Sequence, residues 1–234
     1  PLSTQRVMFD VAAGLLPAVA AAGYYFRIRA LLLIAVCVVS CMVSEWLCNV
    51  VRKKENTLGD LSAVVTGIIL ALSVPPGLPL WAGVLGSAFA IVIGKMVFGG
   101  LGANIFNPAM AGRLFLTASF GVLMTSWTVP ATMDGGMKNI SAANEINART
   151  QATPLAWSKE AIKTGQGAEI CERQIDETFF GEVGGCLGET GALWLLLGGI
   201  YLLIRKTINF HIPLAVLLSA FVFAGIAHLI NPEA

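Results

Sequence analysis

The run Arg149-Thr150-Gln151-Ala152-Thr153-Pro154-Leu155-Ala156 carries the most specific chemical possibility in this sequence. Thr153-Pro154 has the form of a helix N-cap followed by its first residue. Leu155, Trp157 and Ile162 suit a short amphipathic helix after it. Spacing alone makes Thr153 a capping threonine. Physical chemistry allows a second role. A helix N-terminus stabilises phosphate through its free N–H groups and its dipole. A phosphoester on Thr153 would sit in a favourable field.

A second run, Gly99-Gly100-Leu101-Gly102-Ala103-Asn104-Ile105-Phe106-Asn107-Pro108-Ala109-Met110-Ala111-Gly112-Arg113, holds four glycines in fifteen residues. Glycines permit tight, irregular backbone, and Asn107-Pro108 reads as a cap opening the next helix. Two readings stand. The run is a plain connector, or it is irregular backbone at membrane depth that lines a cavity, a cofactor site or an ion path. Asn104 and Asn107 can satisfy free backbone groups there, and with Arg113 they are the cofactor-binding residues expected of this run. Arg113 would lie about one and a half turns inside the helix, where a charge needs a partner. The expected partner is a carboxylate, with Glu45 and Asp60 as candidates, or helix C-terminal carbonyls. Glu45, Asp10, Asp60 and Lys95 also fall in or near apolar runs. Such charges mark ion paths or subunit contacts, or they snorkel and pair at an interface. Cys37, Cys41 and Cys48 share one apolar stretch and read as buried small hydrophobes rather than metal ligands. Cys171 and Cys186 could pair if their surroundings are oxidising.

These residues must be held by membrane elements. The chain is 56% hydrophobic and 12% charged, against roughly 25% charge in soluble domains. Its net charge of +1 gives no case for nucleic acid. Seven apolar segments are expected, at about 7–26, 30–51, 61–74, 80–98, 107–130, 190–204 and 212–230, where about 20 residues span a bilayer. The third is short and stops at Pro75-Pro76-Gly77, so it is a tilted helix or half of a broken one. The expected fold is therefore all-α, a polytopic transmembrane bundle with short or broken helices and one long extracytoplasmic loop. Its parts are helices one to five in 1–133, the loop in 134–189, and helices six and seven in 190–234. The first residue is not Met, which reads as a fragment or a trimmed chain.

Residues 134–189 hold 14 of the 29 charged side chains and a net −4. The remainder is +5, as short cytoplasmic connections require. Arg52-Lys53-Lys54 and Arg205-Lys206 are the basic clusters. Placing both inside demands an even number of crossings between them, and segments three to six supply them. The loop then lies outside, and Arg27 and Arg29 are the one violation of the rule.

Several runs together resemble a known family. They are Leu2-Ser3-Thr4-Gln5-Arg6-Val7-Met8, Ser62-Ala63-Val64-Val65-Thr66-Gly67, Val74-Pro75-Pro76-Gly77, Gly94-Lys95-Met96-Val97-Phe98-Gly99-Gly100-Leu101-Gly102, Asn104-Ile105-Phe106-Asn107-Pro108-Ala109 and Ala152-Thr153-Pro154-Leu155-Ala156. The chain is similar throughout to the D subunits of bacterial Rnf electron-transport complexes, relatives of the B subunit of the sodium-pumping NADH:quinone oxidoreductase. The resemblance implies a bacterial inner-membrane subunit of an ion-translocating ferredoxin:NAD oxidoreductase. Its partners would be the other membrane and flavoprotein subunits and membrane lipid. It implies FMN bound covalently through its phosphate to the last threonine of a [Ser/Thr]-Gly-Ala-Thr motif, which maps to Thr153. Thr150 and Ala152 match that motif and Pro154 follows it. Gln151 stands where the motif has glycine, and Asn147 where an aspartate commonly precedes it. The family also implies further C-terminal helices, an inverted copy of the first half, that are incomplete or absent here. A B-type subunit of the sodium pump is the alternative within the family. A transporter or scaffold without flavin is the alternative outside it, since the short third segment also suits a transporter.

Overall fold

The computed structural model describes residues 3–54, 57–126, 185–189 and 191–230. Every regular element among the described residues is helical. α1 (Thr4–Val51) opens on Ser3, whose side chain accepts the Arg6 N–H. It is two limbs, residues 4–26 and 28–51, separated at Arg27 with φ 57° and ψ −147°. The chain reverses there. Met8 and Lys95 line one cavity, and Lys95 holds Glu45 at 2.8 Å. A straight helix would put Met8 and Glu45 about 55 Å apart. The limbs match the first two apolar segments, and each is about 35 Å long, enough to cross a bilayer.

A short 3₁₀ turn (Leu58–Asp60) leads to α2 (Ser62–Leu72), the expected short third helix. α3 (Leu80–Ile91) runs back and ends in a π-helical turn over Val92–Met96. α4 (Pro108–Ser119) opens on Asn107, whose Oδ1 accepts the Ala109 N–H at 3.0 Å. The expected fifth segment is broken at Phe120 (φ −134°, ψ 48°), and a single turn, α5 (Gly121–Met124), follows. Trp81 packs edge-on against Phe120 at 5.1 Å, at the start of α3. α6 (Ala192–Ile204) and α7 (His211–Ile230) correspond to the last two segments.

The core lies between the limbs of α1 and helices α2 to α4. Ala22, Leu33, Cys37, Leu70, Ala82 and Leu116 are among its buried members. Glycine sets the closest approaches. A Cβ on Gly67 would stand 2.6 Å from the Val38 Cα. Gly198 of α6 meets the Gly14 carbonyl of the first limb. Without a strong hydrophobic drive between helices in lipid, backbone proximity of this kind carries the packing.

The two ends of the bundle differ. At one end Arg205 donates to Asp10 (2.9 Å), close to Met8, and Arg52 donates to the Met96 carbonyl (2.6 Å). Both basic clusters therefore sit at this end, with α2, α3, α4 and α6 running between them. At the other end α2 stops and the chain passes through buried Val74, Pro75 and Pro76. Residues 185–189 return here, with Gly188 N–H to the Leu72 carbonyl (2.8 Å) and Leu187 N–H to the Val74 carbonyl (3.1 Å).

Two glycine substitutions separate contact from propensity. Gly67→Ala is expected to destabilise the protein by roughly 1–3 kcal/mol, because Val38 backbone cannot give way as a side chain would. Gly199→Ala, with nothing within 4 Å of its Cβ, is expected to be neutral or to stabilise by up to about 1 kcal/mol. Unfolding in detergent, followed by circular dichroism, compares them.

Candidate functional site

The buried charges gather at the basic end. Lys95, on the π turn, is 2% exposed and Glu45, on the second limb of α1, is 0% exposed. The Lys95 ammonium donates to Glu45 Oε1 at 2.8 Å and to Ser62 Oγ. Ser62 Oγ donates in turn to Asp60 Oδ1, which also accepts the Ser62 N–H at 2.8 Å. From the other side Thr57 donates to Glu45 Oε1 at 2.6 Å and accepts from Asn49 Nδ2 at 2.9 Å. The chain Asp60–Ser62–Lys95–Glu45–Thr57–Asn49 thus links the second limb, the 3₁₀ turn, α2 and the π turn. Glu45 Oε2 is buried without a hydrogen-bond partner among the described residues. An unpaired buried carboxylate oxygen is costly. Here it borders a polar chain that could pass a proton or hold a small cation.

A cavity of about 290 Å³ adjoins this chain, lined by Met8, Ser62, Thr66, Lys95, Asn104 and Asn107 among others. The glycine run forms part of its wall. Gly99, Gly100 and Gly102 have φ of 121°, 112° and 88°, a region open to glycine at little cost. Asn104 accepts the Gly102 N–H (3.3 Å) and donates to the Phe106 carbonyl (2.8 Å). The asparagines thus satisfy irregular backbone while bordering a cavity. Thr66, which also lines it, is not among the residues expected from the sequence. Its position on the cavity face of α2 depends on how that helix is rotated.

Arg113 departs from expectation. It pairs with neither Glu45 nor Asp60, and at 35% exposure it is not deeply buried. Its Nη2 lies 3.9 Å from Glu189 Oε1 and 3.7 Å from Cys186 Sγ. The reason is the direction of α4. It starts at the cavity and runs toward the loop end, so about 9 Å of rise carries Arg113 toward the returning segment. Cys186 is a buried free thiol. Its thiol is pushed up to about 12, mainly by burial and also by Glu189, with Arg113 opposing, so it stays protonated at neutral pH. Asp10 and Lys95 are paired ions, and Cys37 and Cys41 are buried and free. Thr150, Gln151, Ala152, Thr153 and Pro154 lie outside the described residues, as does Cys171.

Lys95→Met should cost roughly 3–5 kcal/mol of stability, since it strands the Glu45 charge. Adding Glu45→Leu should recover most of that loss, because an apolar pair can replace a buried ion pair at little net cost. A thermal-unfolding series of the two single variants and the double variant reads the coupling. Additive losses would show that the two side chains do not act as one unit.

The NQR2, RnfD, RnfE family pattern matches residues 1–234. The chain is 42% identical over 223 residues to the D subunit of the Na(+)-translocating ferredoxin:NAD(+) oxidoreductase complex of Acetobacterium woodii, covering 95% of this chain and 64% of that protein. It is 37% identical over 256 residues to the D subunit of the ion-translocating oxidoreductase complex of Cronobacter sakazakii, covering 98% of this chain and 71% of the relative. The corresponding protein of Halorhodospira halophila is 36% identical over 246 residues, covering 99% and 69%. The chain thus spans about two thirds of the length of these relatives. With apolar helices among its described residues and the glycine–asparagine run walling a cavity beside Lys95, it belongs to the NQR2, RnfD, RnfE family.

Proposed function

We propose that this chain is the D-type membrane subunit of an Rnf-type ion-translocating ferredoxin:NAD oxidoreductase in a bacterial inner membrane, carrying FMN on Thr153. The observation that carries this reading is the similarity, over 95% of the chain, to a subunit named for that activity. FMN supplies one- and two-electron transfer when bound, and the protein positions it. The described residues suit that task at the loop end. Leu187 and Gly188 fix the returning chain to α2, and the partly exposed Arg113 guanidinium with Glu189 lies beside it. Thr150 and Ala152 match the attachment motif that ends at Thr153, and Pro154 follows it.

At the other end, Lys95, Glu45 and the asparagine-lined cavity are where this subunit contributes to sodium or proton movement. Other membrane and flavoprotein subunits of the complex are its partners. Residues 134–189 form the extracytoplasmic, flavin-bearing unit between helical parts 1–133 and 190–234. The bundle's geometry supports that orientation: both basic clusters share one end, and the loop returns at the opposite end.

Peptide mass spectrometry across residues 150–159 is expected to find the FMN adduct, and Thr153→Ala to abolish it. An unmodified Thr153 in protein made with an active flavin transferase sinks the attachment. For orientation, Lys159→Cys in a cysteine-free background is expected to react with a membrane-impermeant maleimide on intact cells. Reaction only after lysis reverses the topology.

A further inference from the structure

A groove of about 470 Å³ opens on the bundle surface between the end of α1 and the π turn. Leu47, Cys48 and Val51 form one wall, and Val92, Met96 and Val97 the other. Val51 and Val97 are 81% and 65% exposed, so the groove opens outward, with buried Met96 at its base. One cation lines it. Arg52 bridges its mouth, donating from Nη1 to the Met96 carbonyl. Lys53 and Lys54 follow, both exposed. The three carry no ion pair among the described residues; Glu55, next in sequence, lies outside them. The π turn builds the second wall, and π turns recur at functional sites.

We propose that this groove is a binding site for one anionic phospholipid, with an acyl chain along the valine walls and the phosphate on Arg52, Lys53 and Lys54. The proposal rests on the reading that the limbs of α1 cross the bilayer, which sets Arg52 at one leaflet. Arg52 at the mouth of an apolar slot, with Lys53 and Lys54 exposed and next in sequence, gives complementary chemistry for both ends of such a lipid. Basic pockets between membrane helices bind anionic headgroups, each cation contributing about 1 kcal/mol near the surface. A zwitterionic lipid offers the same chain but no net charge for the rim. Arg52 already spans the two walls, so a phosphate there would tie α1 to the π turn that carries Lys95.

Native mass spectrometry of the full chain in its assembly tests this, after incubation with phosphatidylglycerol or phosphatidylcholine. The wild type is expected to retain one phosphatidylglycerol per copy and to release phosphatidylcholine. Lys53→Gln with Lys54→Gln leaves the Arg52–Met96 bond in place and should weaken phosphatidylglycerol binding about thirtyfold. Val97→Trp fills the slot with the cations intact and should also abolish retention. Val51→Trp on the opposite wall serves if Val97→Trp does not assemble. Equal retention of the two lipids, or binding unchanged in either the lysine or the tryptophan variant, overturns the proposal. The same spectra report the flavin mass on this chain, so a missing flavin and a missing lipid are seen separately.

Discussion

A buried ammonium–carboxylate pair orders one end of this protein. Lys95 and Glu45 are 50 residues apart in sequence, and Ser62 and Thr57 fill their flanks. Two charges withdrawn from water are tolerated only when geometry and extra hydrogen bonds repay the desolvation. That requirement fixes the second limb of α1, the start of α2 and the π turn relative to one another. The π turn in turn sets where the glycine run begins, and hence the cavity wall at Asn104 and Asn107. Disturbing the pair would therefore propagate into the cavity without touching any residue that lines its far side.

The opposite end is organised by backbone rather than charge. α2 is too short to cross a bilayer, and the chain after it is not helical. Non-helical backbone at that depth must find partners inside the protein. Leu187 and Gly188 provide them, which makes the last residues of the polar segment part of the bundle. The same segment presents Cys186 and Glu189 to Arg113. In the proposed function, electron-carrying and ion-moving roles fall at opposite ends of one short bundle. α2 and α4 join them, since both reach from the cavity to the loop anchor.

Much of this is legible in the residues. Apart from the fifth run, apolar run lengths locate the described helices to within a few positions, and the Pro75-Pro76-Gly77 stop foretells the short α2. Asn107-Pro108 marks the start of α4 because a side-chain oxygen followed by a residue lacking an N–H suits a helix entry. The reversal at Arg27 falls in the gap between the first two apolar runs, so its place is legible, but neither glycine nor proline announces that it is compressed into one residue. The break at Phe120 falls on an aromatic residue that gives no such signal either. The Lys95–Glu45 pairing depends on the rotation of two helices about their axes, which hydropathy does not encode. The partners of Arg113 escape the sequence because spacing gives depth along a helix but not which end of the bundle that helix approaches. The loop motif around Thr153 is readable only through the family's pattern, since spacing by itself allows no more than a cap.

The pairing of Leu72 and Val74 with residues 187 and 188 also has a bearing on biogenesis. The carbonyls at the end of α2 are made about 115 residues before their donors. At bacterial synthesis rates of about 5–20 residues per second, that leaves them waiting roughly 6–23 s. During that interval the Leu72 and Val74 carbonyls lack the donors they have in the folded chain. A stalled ribosome, or a product cut short before Leu187, leaves the chain in that state, so the end of α2 is where insertion machinery or a neighbouring subunit has reason to attend the growing protein.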